Sequence, residues 1–288
     1  MPLAYDPSRT ALYHPERQDT LFVRGQTYSP LQLAVEAARL AYYRAEADPA
    51  QRTRLADALA RVGFADLVLF VDSKSGAEAF AARRSTDGTT LLSFRGTQPD
   101  NYQDLIADLR ANLVAWPESA GRVHDGFAVA VRALRPQILD WIKSAKPDLN
   151  KMILTGHSLG AAMATLTASI WRPAWLVTIG SPRVGDAVFV ETVAAAYSVR
   201  FVDCCDAVTA VPPEIGGYVH IKDYKYLTRD AGIVENPNQE FLQSDRSQAR
   251  VEYSHLYFRQ ILSNVSVRDL ADHAPINYAR VMFEPTPQ

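Results

Sequence analysis

A serine lies between two glycines where an apolar run gives way to helix-forming residues. The run leads into Gly156-His157-Ser158-Leu159-Gly160, and alanines follow. On a strand-turn-helix, Gly-x-Ser-x-Gly forms a tight turn that lifts the serine hydroxyl toward a substrate. The N–H of Leu159, at the start of the helix, can then donate to a developing oxyanion. Ser158 is therefore predicted to be a nucleophile. The alternative is a glycine-rich turn with a solvated serine.

A serine nucleophile needs a histidine base, and the histidine needs a carboxylate that orients it. When the serine lies on this kind of turn, the acid and then the histidine follow it along the chain. Asp203 and Asp206 come directly after a predicted strand over residues 199–202. Both aspartates therefore qualify as the acid from their position.

Three histidines follow these aspartates. His220 lies in an alternating, strand-like stretch and is expected to be structural, and His255 lies inside a predicted helix. Asp272 could cap a helix that has Pro275 in its first turn. His273 would then lie at a loop-to-helix junction, from which its side chain can reach another loop. The pattern favours His273 as the base, with His255 as the alternative.

Strand and helix patterns alternate around these residues. Strands are predicted at 67–71, 79–84, 89–94, 151–155, 174–179 and 199–202, with a hairpin turn at Asp87-Gly88. Helices are predicted at 29–61, 101–116 (a short amphipathic helix with a loop), 127–143 (with a break or new first turn at Pro136), from 159, 186–196 and 250–261. Residues 228–248 are predicted to be a loop. The alternation predicts an α/β protein with parallel strands and crossover helices.

Composition narrows the class further. The chain has 288 residues, 48% of them hydrophobic, which suits a single domain over residues 1–288. A formal net charge of −2 gives no support for nucleic-acid binding.

Cys204 and Cys205 are adjacent, so they cannot form a disulfide framework, and two small buried thiols are expected rather than a vicinal disulfide. The polar N-terminus lacks a signal core, which predicts a cytoplasmic protein by default; a trimmed signal and secretion by another route stay open.

Four further motifs accompany the serine motif in order along the chain. They are Phe94-Arg-Gly-Thr97, the stretches 123–127 and 178–186, and Asp206-Ala-Val followed by Pro212-Pro213. Together they resemble the class 3 lipase family, which comprises fungal-type triacylglycerol lipases and related bacterial esterases. The resemblance covers roughly residues 30–278. It implies an α/β-hydrolase fold and hydrolysis of carboxylic esters without a metal or an organic cofactor.

The resemblance also implies roles for individual residues. Ser158 matches the nucleophile, Thr97 and Leu159 match the two oxyanion-hole donors, and Asp206 rather than Asp203 matches the acid.

For the histidine, the resemblance points to two different residues. Ser254-His255-Leu-Tyr-Phe258 looks like the fungal enzymes, whereas Asp272-His273 with Tyr278 looks like bacterial members. The chain is otherwise bacterial in style, short and with few cysteines, so His273 remains the predicted base. Residues 101–117 occupy the position of the family's lid, which would bring transient contact with a lipid interface; the alternative is an ordinary surface helix.

The expected substrates are triacylglycerols or short-to-medium-chain acyl esters. The same triad would also suit a phospholipase A1, a feruloyl-type esterase or an acyltransferase. A different class of protein, a binding protein that keeps the fold without catalysis, is a further alternative.

Overall fold

The computed structural model describes residues 3–98, 112–221, 223–260 and 262–283. The helices in these ranges are α1 (Arg9–Tyr13), α2 (Pro30–Leu40), α3 (Pro49–Ala60), α4 (Asp125–Ala145), α5 (Leu159–Ile170), α6 (Ala187–Val190), α7 (Gln239–Tyr257), α8 (Arg268–Ala271) and α9 (Pro275–Met282). The strands are β1 (Phe64–Asp72), β2 (Ala77–Arg84), β3 (Thr90–Phe94), β4 (Leu113–Ala115), β5 (Arg122–His124), β6 (Met152–His157), β7 (Trp175–Ile179), β8 (Tyr197–Asp203), β9 (Tyr224–Leu227) and β10 (Ile233–Glu235).

A mostly parallel sheet forms the centre of the molecule. Across the described ranges its strand order is β1-β2-β3-β6-β7-β8-β9-β10. The pairs from β3 to β9 are parallel, whereas β1, β2 and β10 add antiparallel edges. The predicted hairpin at Asp87-Gly88 joins β2 to β3, and the predicted α/β fold with a parallel sheet and flanking helices is confirmed.

Helices cover both faces of this sheet, so the central strand β6 is buried along its whole length. Successive side chains of a strand point to opposite faces. Ile153 accordingly packs in the core beneath α2, while Met152 and Leu154 pack in the second core beneath α4 and α5. This packing fixes β6, and therefore the turn that follows it.

Several predicted helices differ from the observed ones. Residues 29–61 form two helices, because Asp48 caps α3 and Pro49 occupies its first turn. Pro136 does not break α4; its side chain lies on the exposed surface of one continuous helix. The helix predicted over 186–196 is only the four-residue α6.

The prediction of a loop over residues 228–248 is wrong. This region contains β10, which pairs with β9, and the first half of α7. The helix is mainly polar and buries few side chains, among them Leu242 and Ala249. Its weak apolar periodicity explains why sequence pattern missed it.

The predicted lid falls largely outside the described part of the chain, since residues 99–111 are not described. Of its remaining residues, Leu113–Ala115 form β4, which pairs with β5, rather than a helix. Trp116 is buried beside them. None of the helices in the described ranges has the length and apolarity needed to span a bilayer.

The start of α5 packs directly on the end of β3. A Cβ added to Gly160 would lie 2.1 Å from the carbonyl oxygen of Phe94 and 2.9 Å from the carbonyl carbon of Arg95. Both neighbours are backbone atoms, so no side-chain rotation can relieve the overlap.

We expect Gly160→Ala to lower the free energy of unfolding by about 1–3 kcal/mol, because the methyl group must displace β3 or α5. Gly126→Ala is a matched control, since each glycine is the second residue of its helix. A Cβ at Gly126 would first meet the His124 ring, at 3.3 Å. The control should change stability by no more than about 1 kcal/mol. Urea unfolding measures the free energy of unfolding of each variant. Equal losses in Gly160→Ala and Gly126→Ala would contradict the role given to the backbone contact at Gly160.

Candidate active site

Ser158 lies in the turn between β6 and α5, with a strained backbone. Its φ is 57° and its ψ is −126°, a backbone conformation that residues other than glycine rarely adopt. The turn closes tightly, because a Cβ on Gly156 would come within 2.3 Å of the Gly160 backbone. The serine thus occupies the strand-turn-helix geometry of a nucleophile elbow.

His273 lies between α8 and α9 and its imidazole joins two distant side chains. Its Nε2 is 3.0 Å from Ser158 Oγ, and its Nδ1 is 2.8 Å from Asp206 Oδ2. All three residues are buried. With Nδ1 protonated, the ring donates to the carboxylate and leaves Nε2 to accept the serine proton.

Asp206 is oriented by three hydrogen bonds at the end of β8. Its Oδ1 accepts from the backbone N–H of Val208 at 2.9 Å. Its Oδ2 accepts from the hydroxyl of Tyr278 as well as from His273. Burial raises the pKa of Tyr278 well above its usual value, and the Asp206 charge adds to this effect. The phenol therefore stays protonated and donates to the carboxylate.

Asp203, the alternative acid, is not brought to the imidazole. Its backbone N–H donates to the Tyr278 hydroxyl at 3.1 Å. Both of its carboxylate oxygens are buried, without a hydrogen-bond partner among the described residues. Burial raises its pKa well above the usual value, and the nearby Asp272 carboxyl reinforces the shift. A carboxyl in this environment favours its neutral form.

The other two candidate histidines lie elsewhere. The Nε2 atom of His220 is 2.7 Å from the carbonyl oxygen of Thr209, as suits a structural residue. Burial lowers the pKa of His220 well below its usual value, so the ring is neutral. His255 is exposed on α7.

The two predicted oxyanion donors lie on the helix that follows the serine and on the segment after β3. Leu159 is the first residue of α5. Thr97 follows Gly96, whose added Cβ would lie 2.6 Å from the carbonyl oxygen of His157. The segment after β3 is therefore packed against the turn that carries Ser158.

A second layer of side chains surrounds the imidazole, and sequence pattern missed its Tyr42. The His157 ring lies 4.4 Å from the His273 ring, and its Nδ1 is 2.7 Å from the hydroxyl of Tyr42. Burial lowers the pKa of His157 well below its usual value, and His273 lowers it further. His157 is therefore a neutral support for the neighbouring ring. Tyr42 gave no signal of this contact, because it lies in a run of apolar residues at helical spacing.

A network involving the N-terminal segment fixes the residue that precedes His273. Asp272 does not cap α9 as predicted; it ends α8, and Ala274 precedes α9. Its buried carboxylate accepts hydrogen bonds from the Tyr5 hydroxyl, the Cys205 backbone N–H and the Arg268 guanidinium. The carboxylate is therefore satisfied without the backbone of α9.

The adjacent cysteines are free and buried, which confirms the expectation of two thiols. Their sulfur atoms and one Asp272 oxygen lie within 4.8 Å of one another, a spacing that could hold a metal ion. The hydrogen bond with Cys205 raises the pKa of the Cys204 thiol, and burial raises it further. A protonated thiol is a poor metal ligand, and Asp272 already has its own partners.

Residues 91–216 match the family model described as Lipase (class 3). The secreted mono- and diacylglycerol lipase 1 of Fusarium solani is 34% identical over 54% of this chain and 49% of its own length. A lipase of Rhizopus niveus is 26% identical over 71% of this chain and 54% of its own length. The chain spans about half the length of the curated relatives it matches. These relatives are fungal and do not support a bacterial affinity.

Solved structures share the fold. The native propeptide complex of Rhizomucor miehei lipase superposes with a TM-score of 0.58 at 22% identity, covering 81% of this chain and 84% of that one. A lipase from Rhizopus microsporus var. chinensis gives a TM-score of 0.56 at 24% identity, covering 78% and 83%. The α/β-hydrolase fold predicted from the motifs is confirmed.

The cytoplasmic expectation is contradicted. The Fusarium solani relative and a Penicillium cyclopium relative, 33% identical over 50% of this chain, are both named as secreted lipases. Location depends on targeting, which the composition of a folded domain does not encode. The match of residues 91–216 to the class 3 lipase model agrees with the fungal lipase relatives, so this part of the chain is similar to class 3 lipases.

Proposed function

We propose that the chain is a serine carboxylic ester hydrolase acting on lipid or other acyl esters. The observation that carries the proposal is the buried hydrogen-bond chain from Ser158 through His273 to Asp206, which begins at a nucleophile elbow. This arrangement activates an otherwise weak hydroxyl nucleophile. No organic cofactor or metal is needed for the reaction.

In the proposed reaction, Ser158 Oγ attacks the ester carbonyl carbon while His273 Nε2 takes its proton. Asp206 holds the imidazole and stabilises its charged form. The backbone N–H groups of Leu159 and Thr97 receive the negative charge of the carbonyl oxygen. Removing one such donor is expected to lower the turnover rate about 10²–10³-fold. The protonated His273 then protonates the departing alkoxide, which leaves as the alcohol.

The same groups serve deacylation. A water molecule attacks the acyl-enzyme carbonyl and gives its proton to His273. The imidazolium then returns the proton to Ser158 Oγ as the carboxylic acid leaves. Because one base handles both proton transfers, a water molecule must reach the acyl group from the side of His273.

The substrate class rests on the relatives. Two of them are named mono- and diacylglycerol lipases, which supports acylglycerols as substrates of this chain. Esterases of other acyl groups and a non-catalytic binding protein share the fold, and the experiments below separate them from the proposal.

Ser158→Ala should reduce hydrolysis of p-nitrophenyl butyrate and palmitate by about 10⁴-fold or more, because no other group can form the acyl-enzyme. Release of p-nitrophenol measures the rate. An alkyl phosphonate probe should label the wild type once, at Ser158, and leave the variant unlabelled by intact mass. A folded wild-type protein that neither cleaves these esters nor reacts with the probe would support the binding-protein alternative.

His273→Ala should remove about as much activity as Ser158→Ala, because the two residues act as a unit. His255→Ala is the matched control, since its ring is exposed on α7. We expect the control to keep wild-type rates on p-nitrophenyl butyrate. The opposite pattern, with activity lost only in His255→Ala, would reject His273 as the base.

A further inference from the structure

The guanidinium of Arg95, directly after β3, lies between two carboxylates from separate parts of the fold. Its Nη1 atom is 3.1 Å from Oε1 of Glu46, in the chain between α2 and α3, and it also contacts Oε2 of Glu78 in β2. The three side chains are mostly buried, with between 12% and 14% of each exposed. None of them belongs to the proposed triad, so the proposed proton transfers do not account for this Arg95 cluster.

The Arg95 cluster keeps at least one charged carboxylate. Burial raises the pKa of Glu78 to about 7, against the opposing charge of Arg95. Burial also acts to raise the pKa of Glu46, but its hydrogen bonds, first that from Arg44 at 2.9 Å, lower this pKa below its usual value. Glu46 is therefore charged at neutral pH, and Arg95 has a charged partner whatever the state of Glu78.

A need for stability does not explain such a cluster. Apolar side chains of similar volume often stabilise a fold as well as a buried ion pair does, because the charges lose their hydration. The hydrogen bonds of an ion pair, however, require one arrangement of the groups that they join. In the Arg95 cluster they fix the start of the segment after β3 on two sides, against β2 and against the chain beyond α2.

The backbone of Arg95 connects this cluster with both predicted oxyanion donors. Its N–H donates to the carbonyl oxygen of Glu78 at 2.9 Å. A Cβ added to Gly160, the neighbour of the donor Leu159, would lie 2.9 Å from the carbonyl carbon of Arg95. Thr97 comes two residues after Arg95, so the Cα atoms of these residues are at most about 7 Å apart. The backbone of Arg95 therefore lies in contact with the start of α5 and close to Thr97.

We propose that Arg95, held by Glu46 and Glu78, is a positioning residue that fixes the Thr97 N–H relative to the Leu159 N–H. The inference rests on the proposed ester hydrolysis and adds a residue that sets its oxyanion hole. Arg95 acts through the main chain and not on the reacting atoms. Both donors must lie about 2.7–3.1 Å from the oxyanion, and a misplacement of about 1 Å costs up to about 10²-fold in rate.

The test compares two inhibitors that differ only in their ability to form an oxyanion. A trifluoromethyl hexyl ketone reacts with Ser158: Oγ adds to the ketone carbon, the serine proton passes to His273, and the carbonyl oxygen becomes the oxyanion. The corresponding trifluoromethyl alcohol has the same chain and cannot form this adduct. Competition with p-nitrophenyl butyrate gives the inhibition constant of each.

In Arg95→Met the inhibition constant of the ketone should rise about 10- to 100-fold, and kcat on p-nitrophenyl butyrate should fall by a similar factor. The inhibition constant of the alcohol and the KM should change by less than about twofold, because substrate binding does not use the oxyanion donors. Arg95→Lys should recover part of the loss, since it restores the charge between the carboxylates without the guanidinium fork.

Arg84→Met is the matched control. Arg84 lies at the opposite end of β2 from Glu78 and binds Asp87 through hydrogen bonds of 3.0 and 2.7 Å. This variant should keep the wild-type kcat and both inhibition constants. Glu46→Gln/Glu78→Gln removes the partners of Arg95 while keeping their shape, so it should change kcat and the ketone constant in the same direction as Arg95→Met. It decides the question if Arg95→Met does not fold.

The inference is overturned if the cluster variants unfold at a lower temperature than the wild type but keep its kcat and its ketone constant, because Arg95 then has only a structural role. Equal weakening of the ketone and the alcohol also overturns it, since the effect then lies in substrate binding. The proposed function stands in both cases. If the wild type neither cleaves p-nitrophenyl butyrate nor forms the ketone adduct, the proposed function fails first.

Discussion

The contact between the backbones of α5 and β3 is the constraint on which the site depends. Ser158 has a positive φ because the chain must reverse within one residue between the buried strand β6 and the helix α5. Glycines at positions 156 and 160 allow the backbones to approach more closely than any side chain would permit. Both cores of the sheet hold β6 and its neighbours in place, so the strain at the serine cannot relax.

The partners of the serine come from loops far along the chain. Asp206 follows β8, and His273 lies between two short helices, 115 residues after Ser158. Short loops alone would leave such side chains mobile. Here the Tyr278 hydroxyl of α9 donates a hydrogen bond to Asp206, and the Tyr5 hydroxyl donates one to Asp272, the residue before His273. The N-terminal segment is thereby part of the support of the candidate active site.

Burial sets the charge states around the imidazole. It disfavours the charged forms of His157 and Asp203, lowering the pKa of the first and raising that of the second. The imidazole of His273 therefore has a neutral ring on one side and the Asp206 carboxylate at Nδ1. A second full charge next to the ring would compete with Asp206 for the proton or repel the imidazolium that would form in the proposed reaction.

Local pattern predicted the elements that are strongly apolar and periodic. The buried strands and the turn at Ser158 follow from apolar runs bounded by glycine, and these signals depend only on neighbouring residues. The same signals failed where tertiary contacts decide. Leu242 and Ala249 of the polar α7 pack in one cluster with Val202 and Tyr226 of the sheet. Pro136 lies within one continuous helix, with its ring on the exposed surface.

The sequence by itself determined the elbow, the order of serine, acid and histidine, and a short set of candidates for each. The family resemblance selected Asp206 for the acid. What only the tertiary structure decided was which side chains meet: His273 rather than His255 at the serine, and Tyr42 on His157. Such contacts join residues that are distant in the chain, and their distances follow from how the helices pack on the sheet, which no local pattern encodes.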